Sequence, residues 1–596
     1  MFEFMHALRH HDCRMVGFNN FYYDYQLLHH CLTIGPEFTA AQAYEKSFAL
    51  INTPREAKFK DVVWGKEHFV KQIDLYLIHH FDNFAKSTSL KEIEFNNRSR
   101  NIGDLAVDWN APLPYELRRP ALTYCCHDVD ETDKFAEDSA QMIAFREELV
   151  PTMGYDVMSY NDTKIGKKYF EQELRKKAPH LLGTYGNKRQ TPRQSIRIAD
   201  VILPYIEYET DQLQAMLQHL KSTVITQTKA PPELKDLSVT LEGFTMHVGA
   251  GGGHGSVERQ KVQPPEGWDL IDVDVASYYP SLAIKNRFYP EHLSETFCDI
   301  YEDVYNQRKQ HAKKTAPNEM LKLALNGVYG DSANPHSIFL NPQYTMQITI
   351  NGQLLLYLLT EKILCHTNSK MVQLNTDGIT FMVPKTERHM AMQICEWWEK
   401  LTGLTLEYAD YSRMWIRDVN SYMAETTEGK LKRIGAYSHE TQRENPATRE
   451  IKWCKDHSAL IVPKAAEAFM VHGTPVDEFV RGHADAFDFM LRAKATGKSR
   501  LRLMHSGDED TSIAVKGEFV ADAGQRLQKL TRYVIANQGG ALQKVMPPLP
   551  KKPGIERIIG INVGHKVQVF DDLADFDPRN INFQWYIDQA KDLTIS

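Results

Sequence analysis

The chain has 596 residues, of which 42% are hydrophobic and 25% are charged, a composition typical of a globular protein with several hydrophobic cores. The formal net charge of −7 argues against a uniformly basic nucleic-acid binder, although Lys and Arg cluster locally, as in 308–314 and 430–433. The eight cysteines contain no CxxC pair, which argues against the usual zinc and disulfide frameworks and favours a reduced, cytosolic protein.

The N-terminal stretch 1–18 mixes His, Asp and Arg with apolar residues, so it lacks the core of a signal peptide. No apolar run in the sequence is long enough to cross a bilayer. We therefore expect neither secretion nor membrane insertion.

A buried strand is predicted over 270–275, where Asp272 and Asp274 interrupt a run of apolar residues. A carboxylate inside an apolar strand is costly unless a positive charge lies beside it. The pattern therefore predicts a cation close to this strand.

The apolar spacing of 318–330 predicts a helix that ends near Gly330. Lys322, Asn326 and Tyr329 fall at i, i+4 and i+7, so they share one face of that helix. A Lys suits a triphosphate, and a neighbouring aromatic ring suits a base or a sugar. The alternative is an ordinary amphipathic helix that carries one Lys by chance.

The stretch "QLNTDGITFMV", residues 373–383, predicts a hairpin with Asp377 at its tip. Asp-Gly is also good turn chemistry, which would explain the residue without a function. If Asp274 and Asp377 lie on adjacent strands, they repel each other. A pair of divalent cations resolves that repulsion and clamps the attacking and leaving oxygens of a phosphoryl transfer.

These three segments, in this order, resemble the polymerase motifs of family B DNA polymerases. "DVASYYPS" (274–281) is similar to motif A, D-x-x-S-L-Y-P-S in the family. "KLALNGVYG" (322–330) is similar to motif B, K-x3-N-S-x-Y-G, and "NTDG" (375–378) to motif C, usually D-T-D-S. Three ordered matches are hard to produce by chance.

The resemblance implies that Asp274 and Asp377 bind two Mg²⁺ ions, for which Mn²⁺ can substitute, and that Lys322 completes the catalytic set. Tyr279 would pack under the sugar and reject a 2′-hydroxyl, and Ser277 would help to cradle phosphate. Arg308 would be a second cation of the fingers, with Lys309 and Lys313 as alternatives. The implied nucleotide-binding residues are Ser277, Tyr278, Tyr279, Arg308, Lys322, Asn326 and Tyr329.

Three positions depart from the family pattern. Asn375 replaces the first Asp of motif C, Gly378 replaces its final Ser, and Gly327 replaces the Ser of motif B. The essential motif C ligand is the second Asp, which is retained as Asp377, so we expect an active polymerase site.

Two further stretches extend the resemblance. "GAGGGHGS" (249–256) is similar to the Gly-rich segment that meets the template, which makes Gly251 and Gly252 candidate DNA contacts; the alternative is a flexible linker. In 417–437, Tyr422 and Lys432 are candidate primer contacts, although Asn420 stands where the family has Lys.

The N-terminal third resembles a proofreading exonuclease that lacks one motif. Asp24, with Asn19 or Asn20, matches the second exonuclease motif, and Tyr124 with Asp128 matches the third, Y-x3-D. Asp74 is a further acidic residue with a similar role. The first motif, D-x-E, should precede Asn19 and is missing, so we expect feeble or absent 3′-to-5′ exonuclease activity unless a separate polypeptide supplies it.

The expected fold is α+β and multidomain: a right-hand polymerase with a ferredoxin-like (RRM-like) palm, helical fingers and a thumb, preceded by an incomplete RNase H-like 3′-5′ exonuclease domain. The expected boundaries are 1–205 for the exonuclease domain, 206–235 for a linker, 236–297 and 339–440 for the palm, 298–338 for the fingers and 441–596 for the thumb.

The expected function is template-directed DNA synthesis on primer-template DNA from dNTPs, by a monomeric phage or prophage replicase in the bacterial cytoplasm. A reverse transcriptase or RNA-synthesising polymerase is one alternative, and comparing dNTP with rNTP incorporation separates them. A catalytically silent DNA-binding scaffold derived from a polymerase is another. A scaffold gains nothing from keeping repelling carboxylates together, so Asp274 and Asp377 argue against it.

Overall fold

The computed structural model describes residues 2–53, 62–105, 112–184, 187–439, 451–505, 524–547 and 557–595. The chain forms two compact units: unit 1 comprises 1–161 and 439–594, and unit 2 comprises 162–438. The expected mixture of helix and sheet in a multidomain chain is confirmed. Part of the expected thumb, including 441–450, lies outside the described residues.

In the described residues the α-helices are fewer than the β-strands. They are α1 (Phe2–His10), α2 (Asp24–Ile34), α3 (Ala40–Asn52), α4 (Leu75–Ile78), α5 (Leu90–Asn96), α6 (Arg118–Asp138), α7 (Ala140–Met153), α8 (Asp162–Lys177), α9 (Asp211–Ser222), α10 (Tyr278–Lys285), α11 (Thr296–Lys309), α12 (Ala316–Gly330), α13 (Pro342–His366), α14 (Arg388–Thr402), α15 (Ile461–His472), α16 (Val476–Gly482) and α17 (Phe583–Leu593).

The strands are β1 (Arg14–Gly17), β2 (Lys71–Asp74), β3 (Gly183–Thr184), β4 (Asn187–Lys188), β5 (Ile196–Arg197), β6 (Val224–Ile225), β7 (Ser238–Leu241), β8 (Phe244–His247), β9 (His254–Ser256), β10 (Gln260–Val262), β11 (Trp268–Val275), β12 (Lys370–Asn375), β13 (Gly378–Pro384), β14 (Leu406–Asp418), β15 (Ser421–Thr426), β16 (Leu431–Ile434), β17 (Leu491–Lys494), β18 (Arg500–Met504), β19 (Gln525–Leu527), β20 (Leu530–Ala536), β21 (Ala541–Met546), β22 (Arg557–Ile561) and β23 (Lys566–Val569).

Unit 2 is built on a ten-stranded sheet in the order β16-β15-β14-β11-β13-β12-β9-β8-β7, with β10 paired to β14. β11 lies between β13 and β14 and is antiparallel to both. This register sets Asp274 opposite Gly378 on one side and Glu407 on the other. The predicted strand and the predicted hairpin are thus neighbours in one sheet.

Helix α13 is the buried support of unit 2. Its stretch Leu354–Leu359 is apolar on every face and almost fully buried, as expected for a helix enclosed by protein. Its polar side chains bond to backbone: Asn351 donates to Val201 O at 2.7 Å and Gln353 to Gly249 O at 3.0 Å. These contacts fix the segments that cross the helix.

Helix α12 ends at Gly330, as the sequence predicts, and packs against α8 at Gly166. A Cβ at residue 166 would lie only 2.3 Å from the carbonyl of Leu323. Glycine therefore permits the close approach that sets the position of α12.

The segments 162–205 and 206–235 belong to unit 2. The second of them, expected as a linker, contains α9, in which Leu213, Leu217 and Leu220 recur on one buried face.

Unit 1 combines the two ends of the chain. Phe95 and Ile102 share a core with residues of the C-terminal segment such as Phe489 and Val534. The buried carboxylate of Asp488 accepts hydrogen bonds from Arg98, Lys464 and His483. Burial opposes ionisation, but the contacts with His483 and Lys464 outweigh it and lower the pKa of Asp488 to about 2. Within the described part of the chain, no helix has the length and apolar character needed to span a membrane.

Gly166→Ala is expected to lower the stability of unit 2 by about 1–3 kcal/mol, because the added methyl group overpacks the contact between α8 and α12. Differential scanning calorimetry would show a lower unfolding temperature. Gly482→Ala, where a Cβ meets no atom within 4 Å, is the matched control and should leave that temperature unchanged or slightly raised. Equal effects of the two changes would contradict the packing argument.

Candidate active site

Asp274 and Asp377 lie together at one end of the central strands of unit 2. Asp274 is near the end of β11, and Asp377 is exposed between β12 and β13. The amide of Val275 donates to the carbonyl of Asp377 at 2.8 Å, which ties the strand end to the hairpin tip. Burial, and then the charges of Asp272 and Asp377, raise the pKa of Asp274 to about 7.

Asp272 is the third carboxylate of this cluster. It lies two residues before Asp274 and so on the same face of β11. Its oxygens accept hydrogen bonds from the hydroxyls of Thr380 at 2.6 Å and Tyr411 at 2.7 Å. Asp272 is buried, and both of its carboxylate oxygens accept a hydrogen bond from a hydroxyl. Among the described residues, no hydroxyl donates to the carboxylate of Asp274 in this way. The alternation of two acids along one strand is the sequence signal for this arrangement.

Gly378 explains one departure from the motif C pattern. A Cβ at this position would lie 2.0 Å from Oδ1 of Asp274, closer than any real contact. A Ser at residue 378 is therefore incompatible with the observed position of the Asp274 carboxylate.

Lys432 supplies the cation that the sequence predicts beside this strand. Partial burial would lower its pKa, but Tyr422, Asp272 and Asp274 outweigh burial and raise the pKa of Lys432. Its ammonium also lies 5.9 Å from the ring centre of Tyr422, which is buried. Tyr422 therefore supports Lys432 and does not present its ring to solvent.

Three tyrosines from motifs A and B meet beside the carboxylates. The rings of Tyr279 and Tyr329 are 4.6 Å apart, and the Tyr279 hydroxyl donates to Gly251 O at 2.6 Å. Tyr278 is buried and donates to Gly352 O of α13. In this structure the Tyr278 side chain is not open to a nucleotide, whereas Tyr279 is partly exposed.

Cationic and polar groups of α11 and α12 complete this surface. Arg308 donates to the hydroxyl of Ser277 at 3.3 Å, while Lys309 lies over the ring of Tyr305 at 4.2 Å. Of the candidate fingers cations, Arg308 is thus the one with a described contact to motif A. On α12, Lys322 and Asn326 are exposed, and Lys322 has a 3.4 Å ion pair with Glu319.

The residues of the expected exonuclease remnant gather around one cavity of unit 1. Its volume is about 1010 Å³. Asn19, Asn20, Asp24, Tyr124 and Asp128 all contribute to its walls. These residues belong to two expected motifs that are far apart in the sequence. The structure brings the two motifs together at this cavity.

The backbone amide of Asn19, the side-chain amide of Asn20 and the carboxylate of Asp74 have internal hydrogen-bond partners, whereas Oδ1 of Asn20 is buried without one among the described residues. The Asn20 amide donates to Gln72 Oε1 at 2.8 Å. The carboxylate of Asp74 is fully buried and accepts backbone N–H groups of Asn19, Phe21 and Tyr76. Burial raises the pKa of Asp74 to about 6. These contacts give Asp74 a role in holding the turn that follows β1.

Lys91 is a residue that the sequence analysis missed. Its ammonium lies 2.8 Å from Oδ1 of Asp128 and 2.9 Å from Oε1 of Glu94, and 4.8 Å from the ring centre of Tyr124. His127 Nε2 lies 3.2 Å from the other oxygen of Glu94. An internal cation therefore already neutralises the carboxylates on this side of the cavity.

Comparisons with known proteins add little to this geometry. No protein-family model and no curated protein matches the chain. It is similar to a solved structure of the family B DNA polymerase from the hyperthermophilic archaeon Pyrobaculum calidifontis, with 14% identity and a TM-score of 0.38. The match covers 99% of this chain and 70% of that one. At this level of similarity, any assignment of function rests on the residues of the site.

Lys91→Met is expected to destabilise unit 1 by about 3–5 kcal/mol, because Glu94 is 0% exposed and would keep a buried, uncompensated charge. Native-state hydrogen exchange of the α5 and α6 amides measures this opening free energy.

Lys71→Met is the control, since Lys71 also pairs with a carboxylate in unit 1, but Lys71 is 46% exposed and its partner, Asp12, is 76% exposed. The loss of this exposed ion pair should change the opening free energy far less. Equal effects of the two variants would show that the Lys91 cluster does not stabilise the fold.

Proposed function

We propose that the chain is a template-directed, DNA-dependent DNA polymerase that adds dNMPs to a primer 3′-OH. The observation that carries this proposal is the proximity of Asp274, near the end of β11, to Asp377, in the turn between β12 and β13, next to a surface of tyrosines and cations. The motif resemblance concerns only the types of residue. The arrangement of these residues around one point is an additional, spatial argument.

The carboxylate cluster fits divalent cations. Asp274 and Asp377 offer hard oxygen donors, and the nearby charges of Asp272 and Glu407 add a negative potential that exceeds the effect of Lys432. Burial, and then the neighbouring carboxylates, raise the pKa of Asp274, and Gly378 leaves its carboxylate room. In this proposal Asp274 and Asp377 hold two Mg²⁺ ions. Such ions, when bound, lower the pKa of the primer hydroxyl and neutralise the triphosphate.

The remaining groups bind and orient the nucleotide. Lys322 and Arg308 pair with the triphosphate as cations, and Ser277 donates a hydroxyl beside Arg308. The rings of Tyr279 and Tyr329 form a surface for sugar and base, and Asn326 offers an amide on the same face of α12. Attack of the 3′-OH on the α-phosphate then releases pyrophosphate. We assign primer-template contacts to Gly251, Gly252 and Lys432.

The second candidate function is a DNA-binding scaffold without catalysis. In unit 1, the ammonium of Lys91 lies 2.8 Å from Oδ1 of Asp128, so an internal cation already pairs with this carboxylate. The cluster around Asp274 differs, because its negative charge exceeds the charge of Lys432. We therefore favour the polymerase, acting as a monomeric phage or prophage replicase in a bacterial cytoplasm.

The decisive experiment is Mg²⁺-dependent extension of a labelled primer-template by the purified chain. Asp377→Ala and Asp274→Ala should each slow extension by about 10³-fold or more, since each removes several kcal/mol of transition-state charge stabilisation. Asp211→Ala, an exposed aspartate at the start of α9, should extend at the wild-type rate.

A wild-type chain that binds primer-template but never extends it would contradict the polymerase and support the scaffold. Incorporation of rNTPs as readily as dNTPs would contradict the role proposed for Tyr279. The two results are distinguished in the same assay by exchanging the nucleotide pool.

We also propose that the 3′-to-5′ exonuclease is impaired. The support is the ion pair of Asp128 with Lys91, which gives this carboxylate a permanent cation, and the pairing of β1 with β2 alone among the described strands. A separate polypeptide that adds a strand carrying D-x-E along β1 would provide further carboxylates near Asp24.

The purified wild-type chain is expected to leave a 5′-labelled single strand intact in Mg²⁺, because the Asp128 carboxylate is already paired with Lys91. Gel analysis over hours, beside Asp128→Asn, measures this. Cleavage that requires Asp128 would show the nuclease to be functional, and cleavage that persists in Asp128→Asn would indicate a contaminant.

A further inference from the structure

Thr376, the residue before Asp377, has an unfavourable backbone conformation. Its φ is +45°, in the left-handed region that β-branched residues rarely adopt. Such a conformation is unfavourable and persists only where neighbouring contacts enforce it. The position of Asp377 therefore depends on whatever holds Thr376.

Two contacts from Gly253 and His254, at the start of β9, hold Thr376. Its amide donates to Gly253 O at 3.0 Å, and its Oγ1 lies 3.1 Å from Nε2 of His254. The pairing of β9 with β12 sets His254 opposite Asn375, directly before the hairpin tip. His254 is thus the side chain of the Gly-rich segment that contacts motif C.

The second ring nitrogen of His254 fixes the direction of this hydrogen bond. The imidazole also bonds to the carbonyl of Gly252, which can only accept. The nitrogen that faces Gly252 therefore carries the proton, and in the neutral ring Nε2 accepts from the Thr376 hydroxyl. Burial lowers the pKa of His254 and favours this neutral form.

The segment that carries His254 is itself fixed by α13. Gln353 bonds to both the amide and the carbonyl of Gly249, at 3.1 and 3.0 Å, and the Tyr357 hydroxyl donates to His247 O at 2.9 Å. A Cβ at Gly253 would lie 2.5 Å from the Tyr357 hydroxyl. The segment that contacts Thr376 is thus held by Gln353 and Tyr357 of the buried helix α13.

We propose that His254 is a positioning residue, which holds Thr376 and through it the carboxylate of Asp377 in the geometry needed for nucleotidyl transfer. This inference rests on the proposed polymerase function and extends it. The Gly-rich segment then serves as a brace for the catalytic hairpin, in addition to any contact with template. Gly252 supports the same reading, since a Cβ there would lie 3.1 Å from Thr376 Cγ2 and 3.3 Å from the Tyr279 hydroxyl.

The test compares His254→Phe, His254→Gln and Thr376→Val in steady-state primer extension. His254→Phe should lower kcat about 10- to 100-fold, as expected for a misplaced reacting group, and raise the Mg²⁺ concentration needed for half-maximal rate. The KM for dNTP should stay within about twofold, because the proposed nucleotide contacts come from the start of α10 and from α11 and α12, and His254 is not among them. His254→Gln keeps a polar group at similar reach and should recover most of kcat.

Two further measurements separate positioning from a general loss of structure. The double variant His254→Phe/Thr376→Val should be no slower than His254→Phe alone, because both changes remove one interaction. Hydrogen exchange of the Thr376 amide should be faster in His254→Phe. His247→Phe places the same substitution at an exposed histidine on the neighbouring strand and should behave as wild type. If His254→Phe does not fold, the nearly isosteric Thr376→Val carries the same kinetic test.

An active wild type with an unchanged kcat and Mg²⁺ dependence in His254→Phe would overturn this inference and leave the polymerase proposal intact. A raised KM for dNTP with unchanged kcat would also overturn it, since it would indicate a binding role. A wild-type chain that never extends a primer would overturn the proposed function and this inference together.

Discussion

The antiparallel register of β11 and β13 is the constraint on which the candidate site depends. It places Asp274 opposite Gly378, next to the turn that carries Asp377, so the charge of Asp377 acts on Asp274. A slip of one residue would turn Asp274 to the other face of the sheet. The apolar residues that alternate with the acids, Val273 and Val275, are buried and prevent that slip. The burial of these apolar residues thus stabilises a register in which the carboxylates of the site repel each other.

The residues around Asp274 and Asp377 determine how each charge of the site is compensated. Asp272 is satisfied by two hydroxyls, Lys432 compensates part of the negative charge, and Gly378 gives the Asp274 carboxylate its space. The strained tip at Thr376 faces the segment braced on α13. Since α13 is buried along most of its length, its contacts with this segment are shielded from water. The site is therefore rigid because α13, the helix that supports it, is buried.

The sequence predicts those parts of the site that are local. The strand at 270–275, the hairpin around Asp377 and the end of α12 at Gly330 follow from spacing and turn composition, and the structure confirms them. The contact of Lys91 with Asp128 and the electrostatic effect of Lys432 on Asp274 do not follow, because they join segments that are distant in the chain. The composition of unit 1 from both chain ends is likewise invisible to periodicity, since its core forms only when those ends meet.

The two carboxylate clusters of this chain differ in one electrostatic respect. In unit 1, Lys91 lies within hydrogen-bonding distance of Asp128 and Glu94, so a divalent ion there would have to displace an ammonium group from a fully buried partner. In unit 2, burial and the charges of Asp272 and Asp377 outweigh the effect of Lys432 and raise the pKa of Asp274 to about 7. Uncompensated charge is what draws a cation from water, because the ion gains more where no internal cation has neutralised the site. This difference supports the proposed cation site in unit 2, whereas the carboxylates of unit 1 form ion pairs with Lys91.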